Sequence, residues 1–120
     1  MLKNCFMEDQ PEFYKVVELD GEKLATIHAF SQNDLAELAK LSSVKYHTDG
    51  SYEFLTNTTK VFIERIFLSL QGDRCSWNID KDITRENIGK LNKRVFYTLK
   101  NAVDELEKSY KENEEDISKN

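Results

Sequence analysis

Apolar and polar residues first alternate along this chain, then adopt helical spacing, and the changeover points carry turn and capping residues. Phe13 to Leu19 and Glu22 to Phe30 flank Asp20-Gly21. That dipeptide supplies the two positive φ angles of a tight type I′ turn, so the flanks predict a β-hairpin. Counting outward from the turn pairs Glu18 with Lys23, Val17 with Leu24, Val16 with Ala25 and Tyr14 with Ile27. Ser31-Gln32-Asn33-Asp34 then opens a helix, with Ser31 as acceptor for an orphaned backbone N–H and Asp34 in the first turn; Leu35, Leu38, Ala39 and Leu41 form its stripe. Between Ser42 and Thr56, Asp49-Gly50 marks a turn, and Tyr46, Tyr52, Phe54 and Leu55 suggest a short hairpin or an ordered excursion.

Asn57 or Thr58 caps the next helix, predicted to run to about Gln71 and to stop at Gly72 in the left-handed conformation. Val61, Phe62, Ile63, Ile66, Phe67, Leu68 and Leu70 surround most of its circumference, which predicts a helix at the centre of the domain. Trp77 and Ile79 alternate with polar neighbours as a short strand or extended link, and Thr84 caps a brief helix carrying Ile88 and Leu91. Val95, Leu99, Ala102, Val103, Leu106 and Tyr110 trace one face of a closing helix, supported by Asp104–Lys108 and Glu107–Lys111 at i,i+4. Beyond Glu112 there is little to bury, which predicts a frayed tail. The pattern describes an α+β fold: an N-terminal β-hairpin packed on about four helices, with a long amphipathic C-terminal helix. Residues 1–10 form an N-terminal segment, 11–110 a single domain, and 111–120 an acidic, disordered tail.

Charge and cysteine usage narrow the partners. Net charge is −5. From 104 to 116 seven acids face two bases, so the imbalance is concentrated on the closing helix and the rest of the chain is balanced. The one modest basic cluster, Lys90, Lys93 and Arg94, reads as a solvated helix face, and nucleic acid is a poor partner for such a chain. Cys5 and Cys75 are seventy positions apart and neither belongs to a C-x-x-C pair; read as reduced thiols, they imply a cytoplasmic protein. The N-terminus turns acidic at Glu8-Asp9 before an apolar region of signal length develops, and the apolar stretch from Val61 to Leu70 is broken by Glu64-Arg65, so neither secretion nor membrane insertion is expected.

The residues do not describe a reaction. Four glycines, at 21, 50, 72 and 89, build no phosphate loop or dinucleotide fingerprint. His28, His47, Cys5 and Cys75 lie in separate segments without paired ligand spacing, so no metal and no cofactor is expected. Glu64 is the acid best placed for burial, and beside Arg65 it reads as the polar edge of its helix. The expectation is a binding protein, not an enzyme. Trp77 reads as a core side chain or an interface anchor. Val103, Leu106 and Tyr110 are the candidate partner face of the closing helix, whose C-terminal half is expected to project past what the other elements cover.

The order of these features resembles the tail assembly chaperones of long-tailed phages and prophages. The carriers are Ala25-Thr26-Ile27-x-Ala29-Phe30, Asp34-Leu35-Ala36-Glu37-Leu38, Trp77-Asn78-Ile79, Thr84-x-Glu86-Asn87-Ile88-x-x-Leu91 and Ala102-Val103-x-x-Leu106, spread over residues 13–110. The segment from Tyr46 to Phe54 has no counterpart in it. The resemblance implies a non-enzymatic protein, alone or as a homo-oligomer, that binds the tape measure protein, keeps it soluble and assists polymerisation of the tail tube protein around it in the host cytoplasm. The alternatives are a head–tail connector or tail-completion protein, which persists in particles, and a small cytosolic adaptor or immunity-type protein with one folded partner.

Overall fold

The computed structural model describes residues 1–3 and 5–118, with side chains for all of these except 42–45, 54–56 and 113–118. The fold is α+β. Two 3-10 turns, Met7–Asp9 and Pro11–Phe13, lead into β1 (Tyr14–Leu19) and β2 (Glu22–His28), followed by α1 (Gln32–Ala39), β3 (Ser42–Tyr46), β4 (Tyr52–Thr56), α2 (Thr58–Ser69), β5 (Ser76–Trp77), α3 (Arg85–Gly89) and α4 (Lys93–Ser118). β5 joins the first hairpin in an antiparallel sheet of order β1-β2-β5, and β3 and β4 form a separate ribbon.

Asp20 and Gly21 both take positive φ, 55° and 80°, as the hairpin turn requires. Glu18 opposes Lys23 as counted from the turn, but a β-bulge follows. Val17 therefore opposes Ala25, Val16 opposes Thr26 and Tyr14 opposes His28, one step from the simple count. The extra residue lets two consecutive apolar side chains, Leu24 and Ala25, both be buried, which a regular strand forbids. The Leu24 carbonyl is also used: it accepts the Asn78 N–H at 2.7 Å, at the end of the β2–β5 ladder.

The caps are where the residue types put them. The Ser31 hydroxyl accepts the Asp34 N–H while the Asp34 carboxylate accepts the Ser31 N–H, a reciprocal capping box. The Asn57 side chain accepts the Lys60 N–H at 3.0 Å, the Thr84 hydroxyl the Asn87 N–H at 3.0 Å, and the Asn92 side chain the Val95 N–H at 2.9 Å. Gly72 follows α2 with φ +103°.

α2 is less central than its composition suggests. Ile66, Leu68, Ser69 and Leu70 at its C-terminal end are buried, while Val61, Phe62, Ile63 and Phe67 are half-buried. Cations cover part of that aromatic surface. The Arg85 guanidinium lies 4.0 Å from the Phe67 ring centre and the Lys100 ammonium 4.6 Å from that of Phe62. The most enclosed core positions are instead Ile27, Phe30, Ile66, Ile88 and Leu99, where the sheet, α2, α3 and α4 meet.

α4 packs chiefly on β1 and α2. Acids of α4, including Asp104 and Glu107 expected to pair along the helix with Lys108 and Lys111, also reach across the fold. Asp104 bonds Arg65 of α2 at 2.9 Å as well as Lys100 at 2.8 Å, Glu107 accepts the Phe30 N–H at 3.0 Å, and Glu105 pairs with Lys15 of β1 at 2.8 Å. The helix continues to Ser118, where the sequence predicted a frayed tail beyond Glu112. Glu and Lys are good helix formers, so extending a helix that packing has already nucleated costs little.

Candidate functional site

Of the four residues proposed to meet a partner, three are enclosed by their own chain. Val103, Leu106 and Tyr110 are core residues, Leu106 and Tyr110 only 4 % and 3 % exposed. The expectation that this end of α4 projects uncovered is corrected by the segment before β1. There the Tyr110 ring meets Phe13 edge-on at 5.4 Å, and its hydroxyl donates to the Gln10 side chain. Two short 3-10 turns around Pro11 carry no hydrophobic period, so the sequence pattern gave no sign that they form a lid.

Trp77 is half-buried against the core, opposite Ala25 across the β2–β5 ladder. Its indole N–H donates to the Lys81 carbonyl at 2.7 Å. That bond closes the loop after β5 and uses the one polar atom of the ring, so Trp77 holds the sheet edge to the core.

A cleft of about 770 Å³ lies between residues 5–9, the start of α1 and the turn from Gly72 to Cys75. His28 lines it, stacked on Phe13 at 5.2 Å, with its Nδ1–H bonded to the Ala29 carbonyl at 2.6 Å and the Asp34 carboxylate 4.0 Å away. Burial pushes the Cys75 thiol up to about 11, which keeps it protonated and a poor nucleophile at neutral pH. Tyr14 is also raised, chiefly by burial, and donates its hydroxyl to the Glu8 carbonyl at 2.8 Å. Arg74 donates to the same carbonyl at 3.2 Å and lies over the Tyr14 ring at 5.4 Å. Tyr14 and Arg74 thus meet at the Glu8 carbonyl and fasten the N-terminal segment to the turn after Gly72. Among the described residues no three His, Cys, Asp or Glu converge as a metal site.

Glu64 has a definite partner. Arg85 grips it with two bonds, Nε to Oε2 at 2.6 Å and Nη2 to Oε1 at 2.9 Å, and that hydrogen bonding is the main cause of the upward shift of the Arg85 pKa. The pair clips α3 to α2 in the planar fork geometry that guanidinium and carboxylate favour.

The exposed aromatic surface lies elsewhere. The β3–β4 ribbon makes no more than marginal contact with the other elements. Near its turn Tyr46 and Tyr52 face each other, ring centres 6.2 Å apart, 77 % and 61 % exposed. The turn is well made: the His47 N–H donates to the Ser51 carbonyl at 2.9 Å, and the Ser51 hydroxyl and N–H both donate to Asp49, holding its carboxyl below the usual range. The radius of gyration is 16.7 Å, against roughly 14 Å for a compact domain of this length. In the sequence Tyr46 and Tyr52 mark only a short hairpin.

No family model matches the chain, and neither a curated protein nor a solved structure is similar to it. No helix among the described residues is long and apolar enough to cross a membrane.

Proposed function

We propose that the chain is a non-catalytic tail assembly chaperone of a long-tailed phage or prophage, acting in the host cytoplasm on the tape measure protein and, through it, on assembly of the tail tube. One observation carries the binding part of this reading: Tyr46 and Tyr52, near the turn of the β3–β4 ribbon, are largely exposed, and the ribbon has little contact with the other elements. Tyrosine offers a large, rigid contact surface at low entropic cost and is enriched where proteins bind one another. A two-stranded hairpin is at best marginally stable by itself in water, so a partner lying on the arm adds the packing that the chain leaves out. The proposal moves the partner contact from Leu106 and Tyr110 to Tyr46 and Tyr52. The order of caps and apolar faces, which resembles that of the phage chaperones, supports the class; the segment from Tyr46 to Phe54 lies outside that resemblance.

The acids of the closing helix, seven between 104 and 116, give a complex with an apolar client a net repulsive surface and so oppose its aggregation. Mass spectrometry of purified particles tests the class. A chaperone is absent from them, whereas stoichiometric copies would establish a connector or tail-completion protein instead.

A further inference from the structure

We propose that Cys5 and Cys75 form a reversible disulfide under oxidation by glutathione disulfide, locking the N-terminal segment onto the turn after Gly72. Both cysteines line the same cleft, Cys5 from the N-terminal segment and Cys75 from the turn. These two walls are already joined close to both thiols. The Glu8 carbonyl, three residues from Cys5, accepts from Arg74, the neighbour of Cys75, at 3.2 Å and from the Tyr14 hydroxyl at 2.8 Å. The Tyr14 pKa, raised chiefly by burial, also feels the Cys75 sulfur, so that thiol too is near the bonded carbonyl. Three residues of chain span at most about 10 Å, which tethers Cys5 within a short swing of Cys75. Cys5 precedes the first 3-10 turn, is exposed, and bonds the Lys3 carbonyl of its own segment at 3.9 Å. A disulfide needs Cα atoms about 5.5 Å apart, and a residue outside helix and strand reaches that distance without disturbing the sheet.

The two thiols differ as a two-step exchange requires. Exposed Cys5 supplies the first thiolate: its sulfur bonds one sulfur of glutathione disulfide and expels one glutathione thiolate, leaving a mixed disulfide on Cys5. Cys75, kept protonated by burial, then gives its proton to solvent, attacks the Cys5 sulfur and expels the second glutathione. Two protein thiols are oxidised, and one glutathione disulfide is reduced to two glutathione thiols. The bonds at the Glu8 carbonyl hold Cys75 near the mixed disulfide, and this effective concentration lets it compete with free glutathione for that sulfur.

The bridge ties down the segment whose Gln10 and Phe13 cover Tyr110, so oxidation fixes that lid over the end of the core and reduction frees it. The inference does not depend on the tail-assembly reading, because it concerns the purified chain alone.

Equilibration of the full chain in buffers of fixed reduced-to-oxidised glutathione ratio, followed by an acid quench, mass spectrometry and non-reducing peptide mapping, is the test. The expected product is a monomer two hydrogen atoms lighter than the reduced chain, carrying one Cys5–Cys75 linkage. Its thermal midpoint should be raised by roughly 10 °C, because the bridge spans seventy positions. Closure from the mixed disulfide should quicken about tenfold per pH unit between pH 7 and 9, as the Cys75 thiolate becomes available. Cys5→Ser should abolish both the linkage and the rise in midpoint while leaving the reduced midpoint unchanged, since Cys5 is exposed. A chain that stops at the glutathione adduct of Cys5, that joins two copies through Cys5, or whose bridged form melts with the reduced chain would overturn the proposal.

Discussion

Tyr110, near the end of the main amphipathic face, packs edge-on against Phe13, the last residue of the 3-10 turn before β1, with ring centres 5.4 Å apart. The contact joins positions 97 residues apart in sequence and closes the core at the end where α4 was expected to be open. Replacing either Leu106 or Tyr110 by Ser should therefore destabilise the fold by about 3 kcal/mol, the scale for truncating a buried large side chain. Tyr110→Phe, which loses the hydroxyl's bond to Gln10, should cost about 1 kcal/mol. Urea denaturation measures both. Near-native stability of Leu106→Ser would return this residue to the surface.

The Arg85–Glu64 fork should behave as a clip, not as a catalytic acid. Glu64 is largely covered while Arg85 is mostly exposed, so the net contribution is about 1 kcal/mol and weakens with salt. A double-mutant cycle with Glu64→Gln and Arg85→Gln should show that coupling. Independent, additive effects would mean that the two side chains do not act together.

Cys75 provides a pH signature. Its thiol is held at about 11 in the folded chain, above its ordinary value near 9, so the folded state keeps a proton that the unfolded state releases. The stabilising contribution is therefore intact below pH 9 and lost as pH rises from 9 toward 11. Cys75→Ala should flatten that part of the stability profile. At pH 8 a thiol reagent should modify the exposed Cys5 well before Cys75; equal rates would show that burial does not protect the second thiol.

Trp77 reports on its own anchor. Trp77→Phe keeps a ring against the core but removes the donor to Lys81, and should cost 1 to 3 kcal/mol by order of magnitude from the lost bond and volume together. The wild-type emission should be blue-shifted relative to the unfolded chain and should shift red in a single transition on denaturation. An emission maximum already at the unfolded position would place the ring in water.

What could be read in the sequence was local. Ser31, Asn57 and Thr84 cap helices because a side-chain oxygen reaches an N–H two or three residues ahead, and Asp20-Gly21 turns because both residues accept positive φ. The bulge at Leu24 was not legible. It depends on burying Leu24 and Ala25 together and on Asn78, 54 positions away, bonding the Leu24 carbonyl. Phe96, buried on α4, stands three residues before Leu99 and seven before Val103, so it lies on the buried face more squarely than its half-buried neighbour Val95. The covering of Val103, Leu106 and Tyr110 was not legible for a related reason: the helix pattern shows which side of α4 is apolar, but not that Gln10 and Phe13 fold back against it. Conversely, Tyr46 and Tyr52 looked like ordinary strand residues, and only the ribbon's separation from the core gives their exposure a meaning.

The most direct test of the tail-assembly account is the soluble fraction of a tape measure protein encoded beside this chain's gene and co-expressed with it. The wild-type chain should keep the tape measure protein in the supernatant. The double variant Tyr46→Ser, Tyr52→Ser should fail to do so while retaining the wild-type thermal midpoint, because both side chains lie on the exposed arm. A tape measure protein that precipitates with the wild-type chain, or stays soluble with the double variant, would contradict the account.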